Sequence, residues 1–405
     1  MRRVVVTGMG LLTPVGNEPD EVFTALCSGQ SGVTEVPGWN EVPGLGTRLG
    51  GLVCGVDTRT VPRKQRRTMG RMAVLGSIAA DAAVADAGLT PELLSSGRAG
   101  VAMGSTTGSP AELERFFAAY LQSGLEQQEG TLFMRVMSHT LASNVAGRLG
   151  TFGRLLAPCA ACASSTQAIG AGYEAIAWGL QDVMVCGGAE EMHAMSAGVF
   201  DILSAASRAE PTPPVRTPRP FDRDRDGLVV GEGAGVVVLE AYEHARHRGA
   251  SILGEVLGYA TCCGAGHMTS SNHAAMVACM RAALAQAELN AEGIDYVNAH
   301  ATGTVQGDAA EAAATRAVFP QGVRVSSLKG HMGHTLGACG AIEVIACLCM
   351  MHRNCLAPTL NLEQVGEDCA GADYLREPIE TRVDKVISNN FAFGDINATL
   401  ILGRT

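Results

Sequence analysis

Apolar and polar positions along this chain fall into two recurring patterns. Short β-branched runs with no polar interruption predict buried strands at residues 4–6, 100–103, 183–186, 234–239, 296–299, 323–327 and 399–402. Alanine-rich stretches of helical length predict helices between them, at residues 71–87, 110–123, 164–178, 274–287 and 338–351. Such alternation implies an α/β protein with largely parallel, buried sheets. The opening residues predict a strand over 3–7 followed by a glycine turn. Glycines and Pro14 interrupt that run, which argues against a signal peptide. No uninterrupted apolar run is long enough to span a membrane. A Pro/Arg-rich loop is expected at 210–226. The polar segment 246–251 marks the expected boundary between an N-terminal half, residues 1–250, and a C-terminal half, residues 251–405.

Composition sharpens this picture. The chain of 405 residues is 47% hydrophobic and 17% charged, which supports a large core and excludes disorder. A net charge of −10 argues against a general nucleic-acid binder. Only three lysines occur, Lys64, Lys329 and Lys385, so a lysine inside an apolar, glycine-rich stretch stands out. The thirteen cysteines form an odd set without framework spacing, and most sit among Ala, Gly and Val. They read as small core residues in a reducing, cytoplasmic compartment.

Three clusters carry candidate chemistry. Cys162, in Ala161-Cys162-Ala163-Ser164-Ser165, opens a helix, where the macrodipole is expected to lower its pKa and favour thiolate. A thiol suits acyl carriage because thioester exchange leaves the product activated. Alone, Cys162 reads first as a buried structural cysteine, or as half of a redox pair with Cys159. The second cluster surrounds His300, in Asn298-Ala299-His300-Ala301-Thr302-Gly303-Thr304 with Gly307-Asp308 beyond. The third is Ser326-Ser327-Leu328-Lys329-Gly330-His331-Met332-Gly333-His334, running into a helix with Glu343. A zinc site from His331, His334 and Cys339 lacks paired Cys/His spacing, so no metal is expected. His331 reads as a satisfied core residue.

Taken together with VVVTGMGLLTPVG, VMVCGGAEE, RPFDRDRDGLVVGEGAG, LGACGAIE and SNNFAFGDINATL, these motifs resemble the β-ketoacyl-(acyl-carrier-protein) synthase I/II family of the thiolase superfamily, in the family's order and nearly end to end. The resemblance implies a thiolase-like α/β fold of five alternating layers, αβαβα, made of two similar halves, and decarboxylative Claisen condensation with malonyl-acyl carrier protein. It implies Cys162 as nucleophile, His300 and His334 as the active-site histidines, and Lys329 with Glu343 as their ion-pair support. Thr302 and Thr304 would bind the phosphopantetheine arm. Phe393 would be the gate residue whose backbone N–H, with that of Cys162, forms the oxyanion hole. Thr106 and Thr107 fall where the family shapes the acyl pocket. No cofactor is implied beyond the carrier's phosphopantetheine. The implied partners are acyl carrier protein and a second subunit, identical or a homologous ketosynthase-like chain.

The basic run at 62–71, with Lys64, Arg66 and Arg67, is readable as a solvated face or as the docking site for the acidic carrier. The chain departs from the family where Ala392 and Asp395 replace gate-loop glycines and where Ala301 follows His300. The segment 137–140 lacks a proline typical of housekeeping members. That segment, together with SSLKGHMGHTLGACGAIE, MMHRNCLAPTLNLE and SNNFAFG, resembles ketosynthases of aryl-polyene and related specialised pathways. Three other readings stay open: a CoA-dependent thiolase, which would need a second cysteine where Phe393 stands; a non-catalytic partner subunit, which would lose the nucleophile; and a thiol-redox protein using Cys159 and Cys162.

Overall fold

The computed structural model describes residues 1–405 except 127, 214 and 270, so Pro214 within the expected loop 210–226 lies outside the described residues. Eleven strands form one continuous sheet in two matching arrangements. The first half contributes β1 (Val4–Leu12), β2 (Ala99–Gly104), β3 (Leu155–Leu156), β4 (Val183–Glu190) and β5 (Gly233–Ala241). The second contributes β6 (Gly254–Cys263), β7 (Tyr296–Asn298), β8 (Arg324–Ser326), β9 (Asp373–Tyr374), β10 (Lys385–Ala392) and β11 (Ile396–Gly403). Their order across the sheet is β9-β8-β7-β10-β11-β6-β1-β5-β4-β2-β3. Read outward from the β1–β6 seam, both halves run antiparallel, antiparallel, parallel, parallel, and the second half adds one further parallel pair, β8–β9. The expectation of largely parallel sheets is therefore corrected: each half's first strand pairs with its last, and that return runs antiparallel.

Helices complete five layers. On the outer face of the first half lie α1 (Arg71–Asp86), which packs on β1 and β5, and α3 (Thr140–Leu149), which packs on β2. The outer face of the second half carries α6 (His273–Gln286) with α7 (Val305–Val318). Between the two halves of this sheet lie α4 (Ser164–Ala177) and α8 (Cys339–Arg353), each touching both halves. Every residue of α8 from Cys339 to Met351 is buried, as a central-layer helix requires. The stretch Leu336–Arg353 has the length and apolarity of a membrane span, which the sequence reading did not register, but 89% of it is buried inside the fold. Two further helices, α2 (Pro110–Ser123) and α5 (Ala194–Ile202), flank the first half.

The glycine turn expected after Thr7 is not there: β1 continues through Gly8 and Gly10 to Leu12. Those glycines serve packing. A Cβ at Gly8 would stand 2.3 Å from the Ala83 carbonyl oxygen, and one at Gly10 would stand 2.2 Å from that of Ala79. Their absence of side chains lets α1 lie directly on the strand.

Candidate functional site

The duplication brings the chemistry together. Cys162 stands just ahead of α4, and His334 occupies the equivalent connection ahead of α8. His300 follows β7, and Phe393 lies in the turn between β10 and β11. Ala161 takes a left-handed backbone, φ 46°, immediately before Cys162. Such a conformation costs a residue with a Cβ roughly 1–2 kcal/mol. It turns Cys162 inward, where it is 7% exposed.

Cys162 Sγ lies 2.9 Å from His334 Nε2. The His300 and His334 rings meet edge to face with centroids 5.1 Å apart. His334 is held by its backbone, which donates to the Val229 carbonyl at 2.7 Å and accepts from the Gly231 N–H at 2.8 Å. This is the structural use of the GLVVGEG segment. Behind the histidines, Lys329 Nζ and Glu343 Oε1 pair at 2.5 Å, fully enclosed.

Burial sets the protonation states. It pushes the Cys162 thiol up to about 12, against the pull of Lys329. The thiolate expected from the helix N-terminus is thus corrected: Cys162 precedes the cap residue Ala163 and lies in an apolar enclosure, so desolvation outweighs the dipole. Both His300 and His334 are held well below the usual histidine range by burial and by the Lys329 charge. Burial opposes the Lys329 charge, but Glu343 keeps its ammonium above the ordinary value. The site therefore rests as a thiol beside two neutral imidazoles, with His334 Nε2 placed to take the thiol proton. Cys162, His300 and His334 offer ligand atoms all within 4.8 Å of one another. A cation there would have to displace the thiol proton and face the Lys329 charge, so this donor set suits proton transfer better than metal binding.

Of the other residues singled out in the sequence, Thr302, Thr304, Ala392, Phe393 and Asp395 line the same cavity as Cys162 and both histidines. The Thr302 and Thr304 hydroxyls lie 3.1 Å apart. Phe393 packs on Phe200 of α5 with ring centroids 5.4 Å apart. Asp395 has φ 56°, accepts the Gly266 N–H at 3.1 Å through Oδ2, and accepts the Gly264 N–H at 2.9 Å through its carbonyl. Thr107 is exposed on its turn and does not line the cavity. Lys64 and Arg67 are exposed and Arg66 half-buried, at and beside the short helical turn Arg63–Arg66. His331 is buried between the Gln30 and Pro358 carbonyls at 3.0 and 3.1 Å. Cys159 is exposed and directs its thiol to the Thr106 carbonyl at 3.1 Å, away from any disulfide with Cys162.

Sequence reasoning missed four supporting residues. Glu311, on α7, accepts the N–H groups of His300 and Ala301 at 2.8 and 2.7 Å. Asp308 accepts those of Thr302, Gly303 and Phe221. Glu190 ties Ser105 and Thr106 to Gly337. Asn390 touches Glu343, Cys339, His300 and Thr166. For Asp308 and Glu311 the available signal was a carboxylate within the first two turns of a helix that follows a glycine/hydroxyl loop, where it can accept the loop's N–H groups; Glu190 and Asn390 lie on strands and carried no such signal. Burial raises Glu311 to about 8, Glu190 to about 7 and Asp308 to about 6, in each case against the hydrogen bonds it accepts.

Comparison with known proteins follows this geometry. Residues 1–245 match the family described as "Beta-ketoacyl synthase, N-terminal domain", and residues 253–363 match "Beta-ketoacyl synthase, C-terminal domain". The 3-oxoacyl-[acyl-carrier-protein] synthase 1 of Haemophilus influenzae is 35% identical over 100% of this chain and 99% of that protein. The crystal structure of a beta-ketoacyl synthase from Burkholderia phymatum is 45% identical, with a TM-score of 0.96 and complete coverage of both chains. The ishigamide ketosynthase/chain length factor structure is 33% identical, with a TM-score of 0.93, covering 100% of this chain and 99% of that one.

Proposed function

This chain belongs to the β-ketoacyl synthase family, and on that premise we propose that it condenses an acyl group held on Cys162 with a malonyl unit on acyl carrier protein, giving β-ketoacyl-acyl carrier protein and CO2. Membership makes it a carbon–carbon-bond-forming acyltransferase of fatty-acid or type II polyketide elongation. The observation that carries the assignment of roles is the 2.9 Å contact between Cys162 Sγ and His334 Nε2.

In the first half-reaction Cys162 gives its proton to His334 Nε2 while attacking the incoming thioester. The departing phosphopantetheine thiolate takes that proton, so the acyl group moves with no net proton change. In the second, the malonyl carboxylate leaves as CO2 and its electron pair passes to the thioester oxygen. His300 and His334 stabilise that enolate, and their neutrality keeps them available as donors. The enolate carbon attacks the acyl-Cys162 carbonyl, whose developing oxyanion is received by the N–H groups of Cys162 and Phe393. The C–S bond breaks and Cys162 takes up one proton. Lys329 with Glu343 fixes the field around the histidines, and Thr302 and Thr304 hold the phosphopantetheine arm.

Lys64, Arg66 and Arg67 dock the acidic carrier, and the enzyme works as a dimer with an identical or homologous subunit in a reducing cytoplasm. The exposure of Thr107 fits an acyl pocket completed by that partner. Residues 1–250 carry the nucleophile, and residues 251–405 carry the histidines and gate. Ala392, Asp395 and the segment 137–140 favour an acyl chain of the aryl-polyene or a related specialised class. A CoA-dependent thiolase is disfavoured by Phe393 in the loop that would carry its second cysteine, and redox chemistry by the separate partners of Cys159 and Cys162.

Mass spectrometry of Cys162 after incubation with a panel of acyl carrier proteins tests the reading. Acylation at Cys162, with preference for aryl-enoyl chains, is expected. Condensation that persists in Cys162→Ala would overturn the mechanism, and exclusive use of saturated chains would overturn the pathway.

A further inference from the structure

We propose that Asn390 is a positioning residue that fixes His300 as the Nε2–H tautomer, and so makes it a hydrogen-bond donor toward the cavity; the proposal rests on the condensing reading of this site. Asn390 lies on β10, wholly buried, three residues before the gate Phe393. Its amide orientation is determined by what surrounds it. The Thr166 hydroxyl, on α4, lies 2.5 Å from Oδ1. Glu343 Oε2 lies 2.9 Å from Nδ2, and a carboxylate paired with Lys329 can only accept. Nδ2 therefore faces Glu343, and Thr166 donates to Oδ1.

One Nδ2 hydrogen goes to Glu343. The other points between Cys339 Sγ at 3.2 Å and His300 Nδ1 at 3.4 Å. The Cys339 thiol proton is itself directed to the Cys162 carbonyl at 3.3 Å. A donor facing Nδ1 is compatible only with a lone pair there, and burial keeps the ring neutral, so its single proton sits on Nε2. The two histidines then differ: His334 Nε2 accepts from Cys162, while His300 Nε2 donates. His334 thus serves proton transfer in acyl loading before joining His300 at the enolate, whereas His300 is set as a donor throughout. Asn390 also joins the gate strand to the nucleophile's helix and to the Lys329–Glu343 pair.

The test measures Cys162 acylation by acyl carrier protein and malonyl-carrier decarboxylation separately in the full chain. Wild type is compared with Asn390→Leu, which keeps the volume and removes the donor, and with Asn390→Ser, which guards against a misfolded leucine variant. The ratio of decarboxylation to acylation is expected to fall at least about tenfold in both. Nitrogen-15 NMR of labelled histidine, assigned with His300→Gln, should show the Nε2–H form in wild type and a tautomer mixture in the variants. An unchanged ratio, an equal loss of both half-reactions, or an Nδ1–H His300 in wild type would overturn the proposal. A wild-type enzyme that performs neither half-reaction would instead overturn the condensing reading, and the NMR result would still judge the tautomer.

Discussion

Lys329 Nζ and Glu343 Oε1 stand 2.5 Å apart in the interior, and the charge they hold there reaches both histidines. A buried pair is weak as a source of stability, but losing one partner strands the other without solvent. Lys329→Met should therefore destabilise the fold by about 3–5 kcal/mol, because Glu343 is left unpaired. Adding Glu343→Leu to the same chain should recover much of that loss. Urea unfolding of the wild type and both variants reads the difference. Equal midpoints for single and double variants would refute the account.

The thiol state of Cys162 gives a second expectation. With its pKa pushed up to about 12, the fraction ionised rises about tenfold per pH unit throughout the neutral and mildly alkaline range. Alkylation of Cys162 by iodoacetamide should climb at that slope from about pH 7 to pH 10 without a plateau. Mass spectrometry of the Cys162 peptide follows it directly. A plateau near neutrality would restore the thiolate expected from the helix terminus.

That reversal illustrates what the chain makes legible by itself. Cys162, His300, Lys329 and His334 stand in motifs whose order carries them to one place, and the apolar runs at 183–186 and 234–239 lie within β4 and β5. The electrostatic outcome was not legible, because burial is a sum over both halves and no local pattern reports it. Strands β6 and β10 escaped for a related reason. Their sequences, GEVLGYATCC and KVISNNFA, mix glycine, asparagine and hydroxyls, and their burial comes from neighbours brought in by the duplication. Helix α7 was hidden by its acidic residues, two of which turn inward to hold the His300 loop.

Glu311 provides the pH dependence. Its carboxyl is raised from 4.5 to about 8 on folding, so the folded state binds that proton more tightly than the unfolded chain does. The stabilisation is complete below the unfolded value and is lost as pH rises toward about 8. Glu311→Gln mimics the protonated form and should remove this share of the decline. Urea midpoints at pH 5 and pH 8 should therefore differ less in the variant than in wild type. An identical difference in both chains would refute the assignment.

Asp395 holds the turn between β10 and β11 by two routes: its Oδ2 accepts from the Gly266 N–H, and its carbonyl accepts the Gly264 N–H at 2.9 Å. Asp395→Gly removes the Gly266 hydrogen bond, worth about 1 kcal/mol, together with a long 3.5 Å contact from Asn397 Nδ2, and relieves a left-handed residue at a similar gain. Global stability should change little. Hydrogen exchange at the Gly266 amide should accelerate severalfold, and an unchanged rate would show that the side chain does not clasp the loop.

The basic surface yields an expectation that separates docking from chemistry. Lys64 and Arg67 are exposed, and what Arg67 gives the fold is its carbonyl, which accepts from Arg135 Nε at 2.8 Å. Charge reversal of these side chains should therefore leave folding intact. Steering of an acidic carrier depends on the sum of nearby charges and is screened by salt. Lys64→Glu with Arg67→Glu should raise the KM for acyl carrier protein about tenfold or more at low ionic strength. The gap should close near 1 M salt, where the Debye length falls to about 3 Å. Acylation of Cys162 by a small acyl thioester lacking the carrier should proceed at the wild-type rate, since neither residue lines the cavity. A KM that stays unchanged, or an equal loss with the small thioester, would assign the patch to an ordinary solvated face.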